Sequence, residues 1–408
     1  MSEIYDIIIV GGGPAGLAAG IYGSRSRLKT AILQKGKPGG QAATTQDLEN
    51  YPGFSRGTTG PALMEAMAEH AKSFGTEIIR EEVVDLDLGG EIKIFKAKSG
   101  HQYRARIAIL APGAEPRTLN IKGERAFRGK GVSYCATCDA DFFEELDVAV
   151  VGNGDAAVEE AIYLTKFAST VTIIVIHDEG ILDCNKASAE VAFAHPKIKW
   201  VWNSVLDEIK GDGLVESVMI KNIKTGEISE RETNGVFFFV GTVPKTEMLK
   251  GKVKLNEQGY MITNDLMETS VPGVYGAGDA RMKYLRQVIT AASDGAIAAV
   301  AAEKYLAEEE GFQESVLAVQ EPVLVAFWTP QIEASIEAVF TLEKIVSKTD
   351  GKVKLVKIDT YRNQRVAKRY GVTTIPSVVI FKQGEVIEKF SGCCCEKELW
   401  EKVNRMIS

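Results

Sequence analysis

The sequence predicts an α/β protein built from repeated strand–turn–helix units, and three observations carry that prediction. First, the apolar stretch Asp6-Ile-Ile-Ile-Val10 runs into Gly11-Gly-Gly13-Pro14-Ala15-Gly16 and then an alanine-rich segment, so a buried strand opens through G-x-G-x-x-G onto a helix. Second, Val148-Ala-Val-Val151 leads through Gly152-Asn-Gly154-Asp155-Ala156-Ala157 into a helix expected to reach Phe167. Third, Thr269-Ser-Val-Pro-Gly-Val-Tyr275 ends in Gly-Ala277-Gly278-Asp279, and Arg286-Gln287-Val288 begins a long apolar helix. A dinucleotide-type fold is what these units imply.

Size and composition bound the rest. The 408 residues suggest two to four domains, and 45% hydrophobic content is enough for sizeable cores. The longest apolar runs, such as Val236-Phe-Phe-Phe-Val240, are strand length and fall well short of the ~18–20 residues of a membrane span. A net charge of -7, with no basic stripe interleaved with aromatics, argues against nucleic-acid binding. The strand at Ile4 leaves no room for a basic n-region or cleavage site, so the expectation is a cytoplasmic protein in a reducing compartment.

Each turn has its own chemistry. Glycines in the first let backbone N–H groups at a helix N-terminus approach a pyrophosphate. The second strand, Thr30-Ala-Ile-Leu33, is followed by Gln34, where an acidic residue often grips the adenosine ribose; glutamine still hydrogen-bonds a hydroxyl. Around the second glycine turn, Val171-Thr-Ile-Ile-Val-Ile176 is followed by His177-Asp178-Glu-Gly-Ile-Leu-Asp-Cys184, acids where a 2′-phosphate demands arginine. This argues against NADPH. Asp178 suits a free ribose hydroxyl and leaves NADH open, while the other reading is a turn kept only for helix packing. Asp279 in the third unit reads either as a helix-capping residue or as a cofactor contact, and its recurrence after two glycine-rich units favours the cofactor.

Cys135-Ala-Thr-Cys138, next to Asp139, is the feature with redox chemistry: two cysteines at this spacing cycle between dithiol and disulfide. A zinc site would need two more ligands at matching spacing, and His70, His101, His177 and His195 are scattered singly; no metal is expected. A purely structural disulfide fits poorly with a reducing compartment. Cys184 reads as a structural thiol.

Residues 1 to about 308 resemble the low-molecular-weight thioredoxin reductases, on Gly11-Gly-Gly-Pro-Ala-Gly16, Gly39-Gly40-Gln41, Glu49-Asn50-Tyr-Pro-Gly53, Cys135-Ala-Thr-Cys138-Asp139, Gly154-Asp-Ala-Ala-Val-Glu-Glu160, Gly278-Asp279 and Arg286-Gln287. The resemblance implies a discontinuous FAD domain over 1–114 and 244–308, with a second Rossmann-like domain over 115–243 that carries the cysteine pair. FAD would face Gly11, Gly13, Pro14, Ala15, Gly16, Gln34, Gly40, Gln41, Asn50, Ala111, Gly113, Gly278, Asp279, Arg286, Gln287 and Val288. A second nucleotide would meet Gly152, Gly154, Asp155, Ala156 and Asp178. The family also implies that Cys138 accepts flavin electrons, Cys135 attacks the partner disulfide and Asp139 moves the proton. It implies a homodimer, one domain swinging against the other, and a small redox protein such as thioredoxin as substrate. NADPH-using members carry a histidine-arginine-arginine run and a further arginine where this chain has Val175, Ile176, His177 and Ile181, and Ala140 replaces the usual glycine. In this the chain resembles reductases fed by another donor, such as reduced ferredoxin.

Beyond a linker expected at 309–320, where Glu308-Glu-Glu310 reads as a solvated helix end, residues 321–408 resemble thioredoxin. The resemblance rests on Phe327-Trp328-Thr-Pro330, Val353-Lys-Leu-Val-Lys-Ile-Asp359 and Thr374-Ile375-Pro376, the last matching a cis-proline loop. The thioredoxin cysteines fall on Ile332 and Ser335 and its buried acid on Ala326, so ordinary thioredoxin chemistry is lost. Three of the six cysteines cluster instead as Cys393-Cys394-Cys395, which reads as a displaced redox centre, a vicinal disulfide or a soft-metal site, against three partly buried thiols at a helix start. The expectation is a FAD-dependent disulfide reductase whose degenerate C-terminal domain docks or relays to a partner; the alternative is a redox-sensing flavoprotein that signals through that domain.

Overall fold

The computed structural model describes residues 3–44, 48, 50–54, 58–361, 363–392 and 396–407. They form two compact units, residues 1–302 and 303–408.

The first unit opens with β1 (Ile4–Val10), α1 (Pro14–Arg25), β2 (Thr30–Gln34), α2 (Gly60–Ser73), β3 (Glu77–Arg80), β4 (Val83–Asp87), β5 (Lys93–Ala97) and β6 (Gln102–Leu110). Their sheet runs β3-β2-β1-β6-β5-β4, with β1 parallel to both β2 and β6. Ile7, Ile8 and Ile9 are all fully buried, as a parallel strand covered on both faces requires, and this is why β1 reads as an unbroken apolar run.

A second sheet follows from β7 (Ala114–Pro116), β8 (Val132–Ser133), α3 (Ala136–Asp139), β9 (Asp147–Val151), α4 (Asp155–Leu164), β10 (Thr170–Ile174), α5 (Lys186–Ala194) and β11 (Ile198–Val201). After the antiparallel strands β12 (Ser204–Lys210), β13 (Ser217–Asn222) and β14 (Ile228–Glu232) comes β15 (Gly235–Phe238), which completes the parallel order β11-β10-β9-β15-β8. The chain then returns to its first sheet. β16 (Thr242–Pro244) pairs antiparallel with β7, and β17 (Val274–Gly276) pairs parallel with the C-terminal half of β6. The late strand is fixed there by Tyr275, fully buried, whose hydroxyl donates to the Ala301 carbonyl of α6 (Val288–Phe312).

The second unit takes in the tail of α6, a π-helical turn over Gln313–Leu317, β18 (Val323–Trp328), α7 (Glu333–Ser347), β19 (Lys354–Asp359), α8 (Gln364–Arg369), β20 (Ser377–Lys382), β21 (Glu385–Ser391) and α9 (Glu396–Ile407). Its sheet order is β19-β18-β20-β21. Successive residues of β18 feed opposite faces, as strand geometry dictates. Leu324 and Ala326 pack with Val339, Leu342, Leu399 and Val403 of α7 and α9, while Val323, Val325 and Phe327 pack with Phe312 and Val316. The α6 tail is therefore core rather than solvated end, and Glu308 and Glu309 are ion-paired to Arg365 and Arg369 of α8. The Ile375–Pro376 bond is cis.

Candidate active site

A cavity of about 1370 Å³ in the first unit is walled by the glycine turn after β1, the cysteine pair and the turn before α6. Gly11 sits at φ +104°, and a Cβ there would collide with the Ala111 carbonyl; a Cβ on Gly16 would strike the Gly11 carbonyl. Only glycine allows this approach of turn, helix and neighbouring strand. Gly13 caps α1 without a side-chain bond and Pro14 follows at the first helical position, so the N-cap offers the first-turn N–H groups no side-chain acceptor. Ala15, Gly40 (φ +57°) and Gly113 (φ +77°) continue the wall. Gln34 is spent partly on the turn itself: its Oε1 accepts the Gly12 N–H at 2.6 Å and its Nε2 donates to the Lys37 carbonyl. Gln41 Oε1 accepts from Arg128 Nη2 at 3.1 Å, and its Nε2 donates to Glu115.

Beside Ala15 in the same lining, Gly278 is at φ +75° and its N–H donates to Asp294, a buried carboxylate of α6 that also binds Arg281 through two nitrogens and Lys283 through Nζ. Asp294 is held below the usual carboxylate range because these donors outweigh its burial. Asp279, the next residue, is the opposite case: burial pushes its pKa up, against the pull of Lys283 and Arg286, and among the described residues its Oδ1 has no partner. Arg286 stacks 4.4 Å above the Tyr260 ring with a buried Nε that has no partner among the described residues. Val288 begins α6 on the same wall. Orphaned buried donors and acceptors beside a glycine cradle are what a dinucleotide flavin would satisfy, and the residues present fit FAD.

Cys135 and Cys138 form a disulfide, 5.3 Å between Cα atoms, on the same cavity wall. Gln287 touches it: Nε2 lies 3.6 Å from Cys135 Sγ and 3.9 Å from Cys138 Sγ, while Asn50 Nδ2 donates to Gln287 Oε1 at 3.1 Å. Asp139 accepts a 2.5 Å hydrogen bond from Ser133, whose oxygen also takes the Cys135 N–H at 3.1 Å. Burial raises the Asp139 pKa, with Asp141 adding to the rise and the Ser133 bond opposing it. Sequence reasoning missed Ser133 and Asp294; their only signals were position, two residues before Cys135 and eight after Arg286.

The second glycine turn is differently furnished. Gly152 (φ +136°) lies against the Phe239 carbonyl, and Gly154 bridges in parallel to Asp183 of the loop after β10. Asn153 donates to Asp183, which also pairs with His177 at 3.0 Å; Asp155 accepts from the backbone and side chain of Asn185, and Asn185 reaches Glu159 as well. Asp178 is ion-paired with Lys224. Asp155, Asp178 and Asp183 are all held below the usual carboxylate range, by Asn185, Lys224 and His177 respectively. Ala156 begins the exposed side of α4, Val175 is buried, and Ile176 and Ile181 are exposed. Cys184 is a half-buried free thiol whose pKa is raised by burial.

In the second unit, Ile332 is exposed at the N-cap of α7, while the fully buried Ser335 Oγ accepts the Thr329 N–H at 2.8 Å. Ala326 is buried in the sheet. Gly392 N–H donates to the Pro376 carbonyl at 2.8 Å, and Cys393, Cys394 and Cys395 lie outside the described residues.

Residues 5–295 match the family model for pyridine nucleotide-disulphide oxidoreductases, and residues 303–405 match the thioredoxin model. The chain is 51% identical to the thioredoxin reductase of Peptoclostridium acidaminophilum over 77% of this chain and all of that protein. It is 34% identical to the bifunctional thioredoxin reductase/thioredoxin of Mycobacterium leprae over 95% of this chain and 94% of that one. Among solved structures, thioredoxin reductase from Streptococcus pyogenes aligns with a TM-score of 0.71 at 43% identity, covering 75% of this chain and 99% of that one. The chain belongs to the thioredoxin reductases of the pyridine nucleotide-disulphide oxidoreductase family, FAD-dependent disulfide oxidoreductases, and carries a thioredoxin-fold domain at its C-terminal end.

Proposed function

We propose that electrons reach FAD from a donor other than NADPH, either NADH or reduced ferredoxin, then pass to the Cys135–Cys138 disulfide and on to the disulfide of a small redox protein such as thioredoxin. The observation that carries the cysteine assignment is the disulfide on one wall of the flavin-type cavity with Gln287 against both sulfurs. FAD, when bound, supplies two-electron storage; the chain supplies the cradle, the sulfur pair and a raised-pKa carboxyl, Asp139, suited to hand a proton to a departing thiolate. The resemblance gives Cys138 the flavin side and Cys135 the attack on the partner disulfide.

The donor assignment draws on charge. Asp155, Glu159 and Asp183 gather at the start of α4, where a pyrophosphate would seek helix N–H groups, and the nearby Lys224 and His177 side chains are spent on Asp178 and Asp183. A 2′-phosphate would find no arginine in this loop. The FAD domain is read as 1–114 with 244–308, in support of which β17 rejoins the first sheet, and the interposed domain as 115–243; the stretch 309–320, expected as a linker, instead supplies Phe312 and Val316 to the core of the thioredoxin-like unit. The assembly is read as a cytoplasmic homodimer.

Anaerobic flavin bleaching with NADH, NADPH and reduced ferredoxin in parallel tests the donor; fast bleaching by NADPH overturns it. Cys138→Ser should keep flavin and lose turnover, and retained disulfide reduction would remove the pair from the electron path. Replacing Cys393, Cys394 and Cys395 together with serine tests them as a further redox station, an idea abandoned if turnover is unchanged. The second reading, a redox-sensing flavoprotein without steady turnover, is favoured by Ile332 and Ser335 at the thioredoxin cysteine positions, and steady-state disulfide reduction with a competent donor excludes it.

A further inference from the structure

The resemblance makes Gln287 a flavin contact, yet its side chain addresses the sulfurs. Its backbone N–H is held by Thr290 Oγ1 at 3.1 Å, which fixes the residue at the start of α6. A carboxamide has two unlike ends, and Asn50 Nδ2 occupies the acceptor end at 3.1 Å, so the N–H end is left toward Cys135 Sγ at 3.6 Å and Cys138 Sγ at 3.9 Å. Oε1 also lies 3.9 Å from Cys138 Sγ, a position in which it could accept only from a protonated thiol.

A neutral disulfide gains little from an N–H at this range, whereas a thiolate gains more, because hydrogen bonds to charged acceptors are the strong ones. We infer that Gln287, oriented by Asn50, is the donor that stabilises the thiolate formed when the Cys135–Cys138 disulfide is reduced. In that step the S–S bond breaks, two electrons arrive from the reduced flavin, one sulfur keeps the charge as thiolate and the other takes one proton, from Asp139 or solvent. Asn50 is the positioning residue: it acts on the sulfurs only through the amide of Gln287.

Other ionisable groups lining the same cavity include Arg128, Lys130 and Tyr134 before the pair, Asp139 of α3, Glu160 of α4, and Asp279 and Arg286 before α6, and Asp141 acts on Asp139 from just beyond it. The variants below change none of them. The inference rests on the reading of Cys135 and Cys138 as the electron-carrying pair, but its test reads thiol ionisation rather than turnover.

The full-length flavin-loaded protein is reduced anaerobically with dithiothreitol, pulsed with iodoacetamide across the range from about pH 5 to about pH 10, and the alkylation of each cysteine read by peptide mass. Gln287→Leu should raise the lower midpoint by about one unit, about tenfold less thiolate at neutral pH. Asn50→Leu, which leaves the amide in place but unoriented, should raise it by a smaller amount, and it carries the test if Gln287→Leu sheds flavin. Midpoints in both variants indistinguishable from the parent overturn the inference. Turnover retained in Cys138→Ser would instead remove the pair from the electron path while the midpoints still report the amide.

Discussion

Asp294→Asn is the perturbation whose size follows most directly from the structure. The carboxylate is 3% exposed and accepts from the Gly278 N–H, from Nε and Nη2 of Arg281 and from Lys283 Nζ, all at 2.8–3.0 Å. Asparagine keeps the shape but loses the charge, and its NH2 group then faces donors. Arg281 and Lys283 side chains, 18% and 5% exposed, are left without their counter-ion. Removing one partner of a buried ion pair costs about 3–5 kcal/mol. At roughly 1.6 °C per kcal/mol for a unit of about 300 residues, the first unit should melt about 5–8 °C lower. The Gly278–Asp279 turn loses its anchor at the same time, so FAD should bind at least about tenfold more weakly. Because the Asp294 pKa is depressed in the fold, its contribution is present above the unfolded carboxylate pKa and fades as pH falls toward the depressed value; the variant should therefore show a flatter acid limb of stability. Thermal unfolding followed by circular dichroism and by flavin fluorescence, with FAD titration of the apoprotein, measures all three. A variant that melts within about 1 °C of the parent would refute the reasoning.

Three further outcomes follow from other contacts. Ser133→Ala removes the one hydrogen bond that holds the Asp139 pKa down, so the pH at which disulfide reduction fails as Asp139 ionises should move upward; an unmoved limb means Asp139 is not the proton donor. Tyr134→Phe strips a 2.7 Å bond from the fully buried Glu124 and should cost about 1–3 kcal/mol in urea unfolding, with unchanged stability counting against that bond. Placing arginines at Ile176, His177 and Ile181 together should improve flavin bleaching by NADPH at least about tenfold over the parent, and no gain would show that the acidic groups at α4, rather than the absent arginines, set the donor.

Local pattern carried much of this molecule. The run around Ile8 and the glycines at 11, 13 and 16 declare a buried parallel strand and a close backbone approach, because sterics and side-chain period act over a few residues. The spacing of Cys135 and Cys138 is likewise compatible with their pairing without reference to the rest of the chain. What pattern could not show is long-range pairing. Asn50 and Gln287 are 237 positions apart, and nothing near either one names the other. Gln34 reads as a ribose contact from its place at the end of the second strand, but the bend of the chain brings its oxygen to Gly12. Glu308 and Glu309 look solvated by composition; they sit instead against Arg365 and Arg369, because Phe312 and Val316 carry the helix into a core that the local sequence does not reveal.

Ser335 has a consequence for residence time. At the N-terminus of a thioredoxin-type helix a cysteine pair captures its partner as a mixed disulfide, and release waits for a second thiol. With isoleucine at 332 and a serine at 335 whose oxygen is already taken by Thr329, no covalent capture can occur at those two positions. Whatever settles against this end of α7 meets residues 332 and 335 through non-covalent contacts in oxidising and reducing surroundings alike, so the hold contributed by these two positions is reversible and indifferent to potential.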